Sequence, residues 1–472
     1  MQNKLTATDY IELFLLVSLP IFSFIAFSSL SAYWVQAPYD AWRIYEIFIL
    51  LSFSAFLIFS KNNVLDLFNS KTSFWLKNTL FIIVILIAVS CYFAQYSQRA
   101  LADTTFYFLL AVTVYAQAII LKKHPDWAAQ IAAWLAVLPM LSLIFLPIAL
   151  FDIWHGRPGT WTQSFTNIRM LDDALLPCLL LLWARPAWLA VCPEQNKWKS
   201  WTIHSLVFIV STIYLLSFLF HGARAALFAL SIGLAFIIIF RCVSWKKLIL
   251  PFGTIIAAST IFFLFKKYQI ASGSKLIRSG TSGRTELWEK AIKLWSEQPI
   301  WGIGGNHFSL YPPDYISAHP HNILIQWFSE WGLAGVLVFL LLCPLVYTVF
   351  KYRCNISPFI LAAVVALAVN ALFSGVLVYP VSQILALFPL AWAMAQLPTT
   401  QTTYQYKTIS PSIKILIVVI SIALLSVHYK DLFCKDCMSA DWHGAPRFWD
   451  AGRASHLIPY DIEKMGKAPT EY

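Results

Sequence analysis

Four short stretches of this sequence carry residue types that could do chemistry, and each sits where an apolar run ends or begins. The sharpest runs from His319, Pro320, His321 and Asn322 to Gln326, Glu330, Gly332 and Gly335. Histidine is the side chain best suited to take up a proton near neutral pH. Gln326 and Glu330 are four residues apart, on one face of a helix, and a carboxylate in an apolar span needs a partner or a wet cavity. A His-x-His turn could also hold zinc. No third ligand has convincing spacing, Asp314 being the nearby candidate, so the stretch is read as metal-free. The second stretch runs from Arg278 through Ser, Gly and Thr to Gly283 and Arg284, then Thr285-Glu286-Leu287-Trp288. Backbone N–H groups just ahead of a helix make an anion site, and Arg284 adds a bidentate donor for phosphate oxygens. The alternative is a solvated amphipathic helix lying on a membrane surface. The third, His221-Gly222-Ala223-Arg224, joins two apolar runs with almost no loop and holds Arg224 at the membrane surface; snorkelling to lipid headgroups is the alternative. In the fourth, Phe165-Thr166-Asn167-Ile168-Arg169 leads into Asp172 and Asp173. That pattern also fits a polar turn starting a helix, with Asn167 as cap and the aspartates in the first turn.

Together these residues suit one kind of reaction. Arginines at a membrane surface fit a lipid-attached diphosphate, and a nearby histidine fits a base that takes a proton from an acceptor hydroxyl. A diphosphate leaves readily when cationic groups neutralise its developing charge, so neither ATP nor a redox cofactor is required.

The elements that position these groups must span a membrane. Of 472 residues, 59% are hydrophobic and 12% charged, against about 25% charged in soluble proteins. That excludes a water-soluble globular enzyme and a disordered chain. Apolar stretches of about 20 residues, the length of a spanning helix, recur near 10–30, 42–60, 77–95, 102–121, 128–151, 171–190, 201–221, 223–240, 247–265, 322–350, 357–378, 380–397 and 412–428. The prolines at 177, 186, 380 and 389 weaken the sixth and twelfth. The reading is an all-α polytopic membrane protein with about 12–13 transmembrane helices. No cleavable signal peptide, internal repeat or Gly-rich nucleotide fingerprint is apparent.

The net charge of +11 could suggest nucleic acid, but its distribution argues otherwise. Alternate connections hold 16 Lys+Arg against five acids, a net of +11, and the rest of the chain cancels. The positive-inside rule puts those connections and the N-terminus in the cytoplasm. The surplus thus records topology, and no nucleic-acid partner is expected. The organisation expected is an N-terminal bundle at 1–265, a periplasmic loop at 266–321 before the tenth span, C-terminal spans at 322–428 and a periplasmic tail at 429–472. Cys434 and Cys437 in that tail form either a disulfide or two free thiols.

The run His321-Asn322 through Glu330-x-Gly332-x-x-Gly335 resembles the central motif of the O-antigen ligase and polymerase superfamily. So does the upstream block Gly283-Arg284, Leu287-Trp288 and Pro299-Ile300-Trp301-Gly302-Ile303-Gly304, followed by His307-Phe308. The resemblance covers roughly 150 to 400. It implies a metal-independent, inverting GT-C-type glycosyltransferase of the bacterial inner membrane. Such an enzyme takes a glycan from an undecaprenyl-diphosphate carrier at the periplasmic face. Within the superfamily, the Phe165-x-Asn167-x-Arg169 block and Ser374-Gly375 with Tyr379-Pro380-Val381-Ser382-Gln383 look most like the branch that glycosylates Ser or Thr of type IV pilin. Ligation to lipid A–core and repeat-unit polymerisation are the alternatives, and a transporter of a lipid-linked anion is a more distant one. Carried onto this chain, the resemblance makes His321 the catalytic base, with His319 beside it. Arg224, Arg284, Arg169 and Arg278 become diphosphate ligands, and Asn167, Asn322, Gln326 and Glu330 supporting residues.

Overall fold

The computed structural model describes residues 6–28, 38–60, 70–145, 167–184, 197–267, 283–311, 317–398 and 409–433, together with Phe151, His155 and Phe165. Regular structure among the described residues is entirely helical, in fifteen α-helices. They are α1 (Ala7–Phe27), α2 (Pro38–Phe59), α3 (Ser70–Phe93), α4 (Ser97–Lys123), α5 (Pro125–Val137), α6 (Ile168–Trp183), α7 (Lys197–His221), α8 (Arg224–Ile239), α9 (Trp245–Lys267), α10 (Arg284–Glu297), α11 (Ile323–Trp331), α12 (Leu333–Lys351), α13 (Pro358–Asn370), α14 (Pro380–Gln396) and α15 (Pro411–Phe433).

Seven of these, α1, α2, α4, α7, α9, α12 and α15, are long and apolar enough to cross a bilayer, and shorter apolar helices lie in α3, α8 and α13. The chain is an all-α, multi-pass membrane protein. Three expected spans take another form. The 128–151 stretch is α5 followed by a 3-10 helix at Leu138–Phe145, because Pro139 lacks the N–H that would continue the α-helix. The 322–350 stretch is two helices, α11 and α12, broken at Gly332, whose φ is +54°. The 357–378 stretch is helical only to Asn370. Proline is accommodated elsewhere. Pro177 lies inside α6 and Pro389 inside α14, as membrane helices tolerate. Pro380 opens α14, where its missing N–H would have had no helical partner.

The residues form two compact units that interleave along the chain. The first comprises 1–34, 114–279 and 352–397. Its hub is α6, whose residues from Met170 to Trp183 are all buried, and against which α5, α7, α8, α13 and α14 pack. A polar clasp ties α1 to the end of α4. Lys123 Nζ lies 2.9 Å from Asp9 and 2.8 Å from Glu12, and His124 Nε2 lies 2.7 Å from Glu12.

The second unit comprises 35–113, 280–351 and 398–472. In it α3 packs on α12, α2 on α15, and α10 on α11. The charge pattern of the sequence assigns Arg43 to a short loop opposite the Lys-rich connections, but it lies within α2. It is buried, pairs with Glu46 at 2.6 Å and lies 4.8 Å over the Phe106 ring. An arginine in an apolar span persists only when paired, and the i, i+3 spacing supplies the carboxylate.

Candidate functional site

In the second unit the residues of the histidine stretch form a turn and a nine-residue helix. Asn322 is the N-cap of α11, its Oδ1 accepting from the N–H groups of Leu324 (3.1 Å) and Ile325 (3.2 Å). His321 immediately precedes that cap. Its φ of +54° is a conformation L-residues rarely adopt, costing about 1–2 kcal/mol. The turn around it supplies compensating contacts. The His321 N–H donates to Nδ1 of the buried His319 at 3.1 Å, and the two rings lie 4.3 Å apart. Because Nδ1 of His319 accepts, any proton on that ring sits on Nε2. Ser317 Oγ donates to the His319 carbonyl at 2.7 Å, and Trp288 Nε1 to the Pro320 carbonyl at 2.9 Å.

Trp288 links the turn to α10. Leu287, Ala291 and Leu294 of that helix pack with Ile303 and Phe308 in one apolar cluster. Arg284, the first residue of α10, precedes Trp288 by four residues and shares its helix face. Farther along the helix, Lys290 Nζ stands 4.3 Å over the Phe308 ring, and burial pushes its pKa down to about 8.

Gln326 and Glu330 share a face, as expected, but on α11 rather than on a span. Both are wholly buried. Glu330 Oε1 accepts the Phe308 N–H at 3.1 Å, and the backbone carbonyls of Ser329 and Glu330 accept from Ile303 (3.0 Å) and Gly304 (2.9 Å). The Leu333 N–H returns to the Ile300 carbonyl at 3.0 Å. The 300–304 segment therefore crosses the end of α11 backbone to backbone, which accounts for the glycines there. A Cβ on Gly332 would lie 2.5 Å from the Ile300 carbonyl oxygen and 2.6 Å from the Gly302 nitrogen. His307 holds the same segment from the other side, taking the Tyr96 N–H at Nε2 (3.0 Å) and giving its Nδ1 proton to the Gly305 carbonyl (2.8 Å). Arg99 binds the Asn306 carbonyl at 2.6 Å and Ser309 Oγ at 2.9 Å.

The first unit brings the other two stretches together. His221 ends α7 and Arg224 starts α8, whose first turn has no side-chain cap. Asn167 caps α6, accepting the Arg169 N–H at 2.8 Å. Asp172 on α6 meets His221 Nδ1 at 2.8 Å, both buried, and Asp173 accepts from Asn370 Nδ2 (2.7 Å) and Ser374 Oγ (2.7 Å). Arg169 lies within electrostatic range of both aspartates. The sequence left Asp172 and His221 in separate stretches and did not pair them. The signal for the second contact was Asn370 and Ser374, one helical turn apart after an apolar run. Arg278, Asp314, Cys434, Cys437 and the tail from 434 lie outside the described residues.

Among the described residues, one group of three metal-capable side chains exists: Asp9, Glu12 and His124. Lys123 Nζ already lies between the two carboxylates, so an ammonium takes the cation's place there.

Seven helices long and apolar enough to cross a bilayer, with shorter apolar helices among them, define an all-α, multi-pass membrane protein. Residues 208–340 match the Wzy_C family, described as O-antigen ligase. The matched segment contains Arg224, Arg284, His319, His321 and Glu330, and leaves Asn167 and Arg169 outside it. Comparisons with curated proteins and with solved structures each return no match.

Proposed function

We propose that this protein transfers a glycan from an undecaprenyl-diphosphate carrier to an acceptor hydroxyl at the periplasmic face of the bacterial inner membrane. The observation that carries the reading is the family match, which spans both Arg224 and the histidine turn. In this reading His321 takes the proton of the acceptor hydroxyl as its oxygen attacks the anomeric carbon. The bond from that carbon to the diphosphate oxygen breaks, and the configuration inverts. Arg224 and Arg284 hold the diphosphate and neutralise its developing charge, with Arg169 and Arg278 as further ligands. His319 acts through the His321 backbone and is a positioning residue. Support comes from the unusual φ of His321, since backbone strain of this kind collects at functional sites. The uncapped first turn of α8 beside Arg224 supports an anion there. No metal or cofactor takes part.

For the acceptor, the family's description favours O-antigen ligation to lipid A–core, or chain polymerisation, over pilin. The residues that resembled the pilin branch have architectural duties: Asn167 caps α6, Ser374 binds Asp173 and Gln383 Nε2 binds the Leu377 carbonyl at 2.7 Å. The test is a deletion strain complemented with wild type or with His321→Ala plus His319→Ala. Loss of the lipopolysaccharide ladder, restored only by wild type, is expected. An intact ladder with a lighter pilin moves the acceptor to pilin. Full transfer by the double variant, or no change in either readout on deletion, overturns the reading.

A further inference from the structure

The second unit holds a polar patch that neither the proton transfer nor the diphosphate uses. On α11, five residues beyond His321, Gln326 is wholly buried and its Oε1 has no hydrogen-bond partner. The same is true of the buried indole nitrogens of Trp327 and Trp331 on the same helix. The two indoles stack with centroids 5.6 Å apart, and Tyr107 of α4 sets its ring edge-on to both, at 6.1 and 5.5 Å. Gln326 Nε2 reaches the Tyr107 hydroxyl at 3.5 Å. One turn earlier on α4 is the buried Asp103. A Cβ placed on Gly305 would lie 2.9 Å from its Oδ2 and 3.1 Å from Trp331 Nε1, so carboxylate and indole N–H border the same glycine.

Three buried polar atoms without partners on one nine-residue helix is a high density, because native interiors satisfy nearly all such groups and each exception is costly. Their chemistry is mixed. Two indole N–H donors, an amide oxygen acceptor and a carboxylate lie on neighbouring residues of α11 and α4. An anion such as diphosphate would meet Asp103 and the Gln326 oxygen. A cation would meet two N–H donors. A neutral group carrying hydroxyls, each both donor and acceptor, satisfies the whole set, and the aromatic faces suit the C–H side of a sugar ring. The patch also adjoins the histidine turn: Gln326 lies in the first turn of α11, and His321 directly precedes the N-cap of that helix.

We propose that the α4–α11 face formed by Asp103, Tyr107, Gln326, Trp327 and Trp331 is a sugar-binding subsite that holds a ring of the transferred glycan beside the histidine turn. The inference rests on the glycan-transfer reading and adds the residues that would recognise the sugar.

The test uses the full-length protein in nanodiscs and two probes: the host strain's own undecaprenyl-diphosphate glycan and sugar-free undecaprenyl diphosphate. Trp327→Phe and Trp331→Phe keep the rings and delete only the N–H groups, while Gln326→Met keeps the side chain's length; melting curves check folding. Wild type is expected to bind the glycan-bearing lipid more tightly than the bare carrier. Each variant should erode that preference by about two- to tenfold, the worth of one hydrogen bond, and leave carrier binding unchanged. Equal binding of both lipids by wild type, or a preference that survives all three variants, overturns the subsite while leaving the transfer reading intact. Binding of neither lipid overturns both.

Discussion

Replacing Gly332 with alanine tests the backbone crossing that anchors the histidine helix. The new Cβ would meet two backbone atoms, the Ile300 oxygen at 2.5 Å and the Gly302 nitrogen at 2.6 Å, at a φ of +54°. Neither neighbour is the end of a flexible side chain, so no rotamer change relieves the overlap. A sparsely populated backbone conformation costs about 1–3 kcal/mol, and overpacking costs about 1–3 kcal/mol more. If the 300–304 segment gives way instead, the hydrogen bonds Ile303 to Ser329, Gly304 to Glu330 and Leu333 to Ile300 are lost, each worth about 0.5–1.5 kcal/mol. Both routes lead to a loss of several kcal/mol, a large part of the roughly 5–15 kcal/mol that holds a domain folded. The control is Gly253→Ala in α9, where a Cβ would touch only Phe208 Cε2 at 3.4 Å. There alanine should be neutral or stabilise by about 0.5–1 kcal/mol, as it does in helix interiors. Thermal unfolding of both variants in one detergent, followed by fluorescence-detected gel filtration, separates the two outcomes. A Gly332→Ala protein that melts with wild type would refute the crossing and the explanation of the 299–304 and 330–335 glycines built on it.

Three further outcomes are expected. His319→Asn should retain much of the transfer activity that His319→Ala loses, because an amide oxygen can accept the His321 N–H in place of Nδ1; equal kcat in the two variants would remove His319 from the positioning role. Lys290→Met should raise the melting temperature near neutral pH. With a folded pKa of about 8 against an ordinary 10.5, the unfolded chain binds more protons between those values. The penalty of burying the charge is therefore complete below 8 and fades as pH rises, so the gain should shrink from pH 7 to pH 10; a gain independent of pH would refute this account. Cys242 and Cys354 have sulfurs 3.9 Å apart, close enough for an oxidant to link them after a small side-chain rotation. Peptide mapping should find that disulfide in oxidised membranes but not in untreated cells, where the charge pattern puts both thiols in the cytoplasm; finding it in untreated cells would invert the orientation.

What the sequence made legible follows the range of the interactions involved. Features local in sequence were legible: apolar helices recur along the chain, Glu330 and Gln326 share a helix face, and Asn167 caps α6. The break at Gly332 was hidden because hydropathy continues across it. What ends α11 is contact with a backbone segment some thirty residues upstream. Asp172 and His221 are 49 residues apart, and their pairing depends on how α6 and α7 pack. The buried Arg43 was misplaced because a charge near the end of an apolar run reads as a loop residue, whereas Glu46, one turn on, lets it lie within the helix.

The break between α11 and α12 bears on how a base could be kept in register at a membrane surface. A histidine carried directly on a spanning helix would inherit that helix's tilt, which adjusts to bilayer thickness. Here the span is α12, little of which is buried in the protein, while His321 sits in the turn that leads into α11, a short helix fixed at both ends. Its start is held by the Asn322 cap, the His319 contact and the Trp288 bond to Pro320. Its end is held by the crossing at Ile300–Gly304. These contacts all come from residues 284–333, so the histidine's surroundings are set within one stretch of the second unit. Substitutions on the exposed face of α12, such as Leu340→Ala or Val346→Ala, should then change lipid preference and leave the histidine chemistry unaffected. If either lowered kcat as far as His319→Ala, the span and the base would have to move as one body.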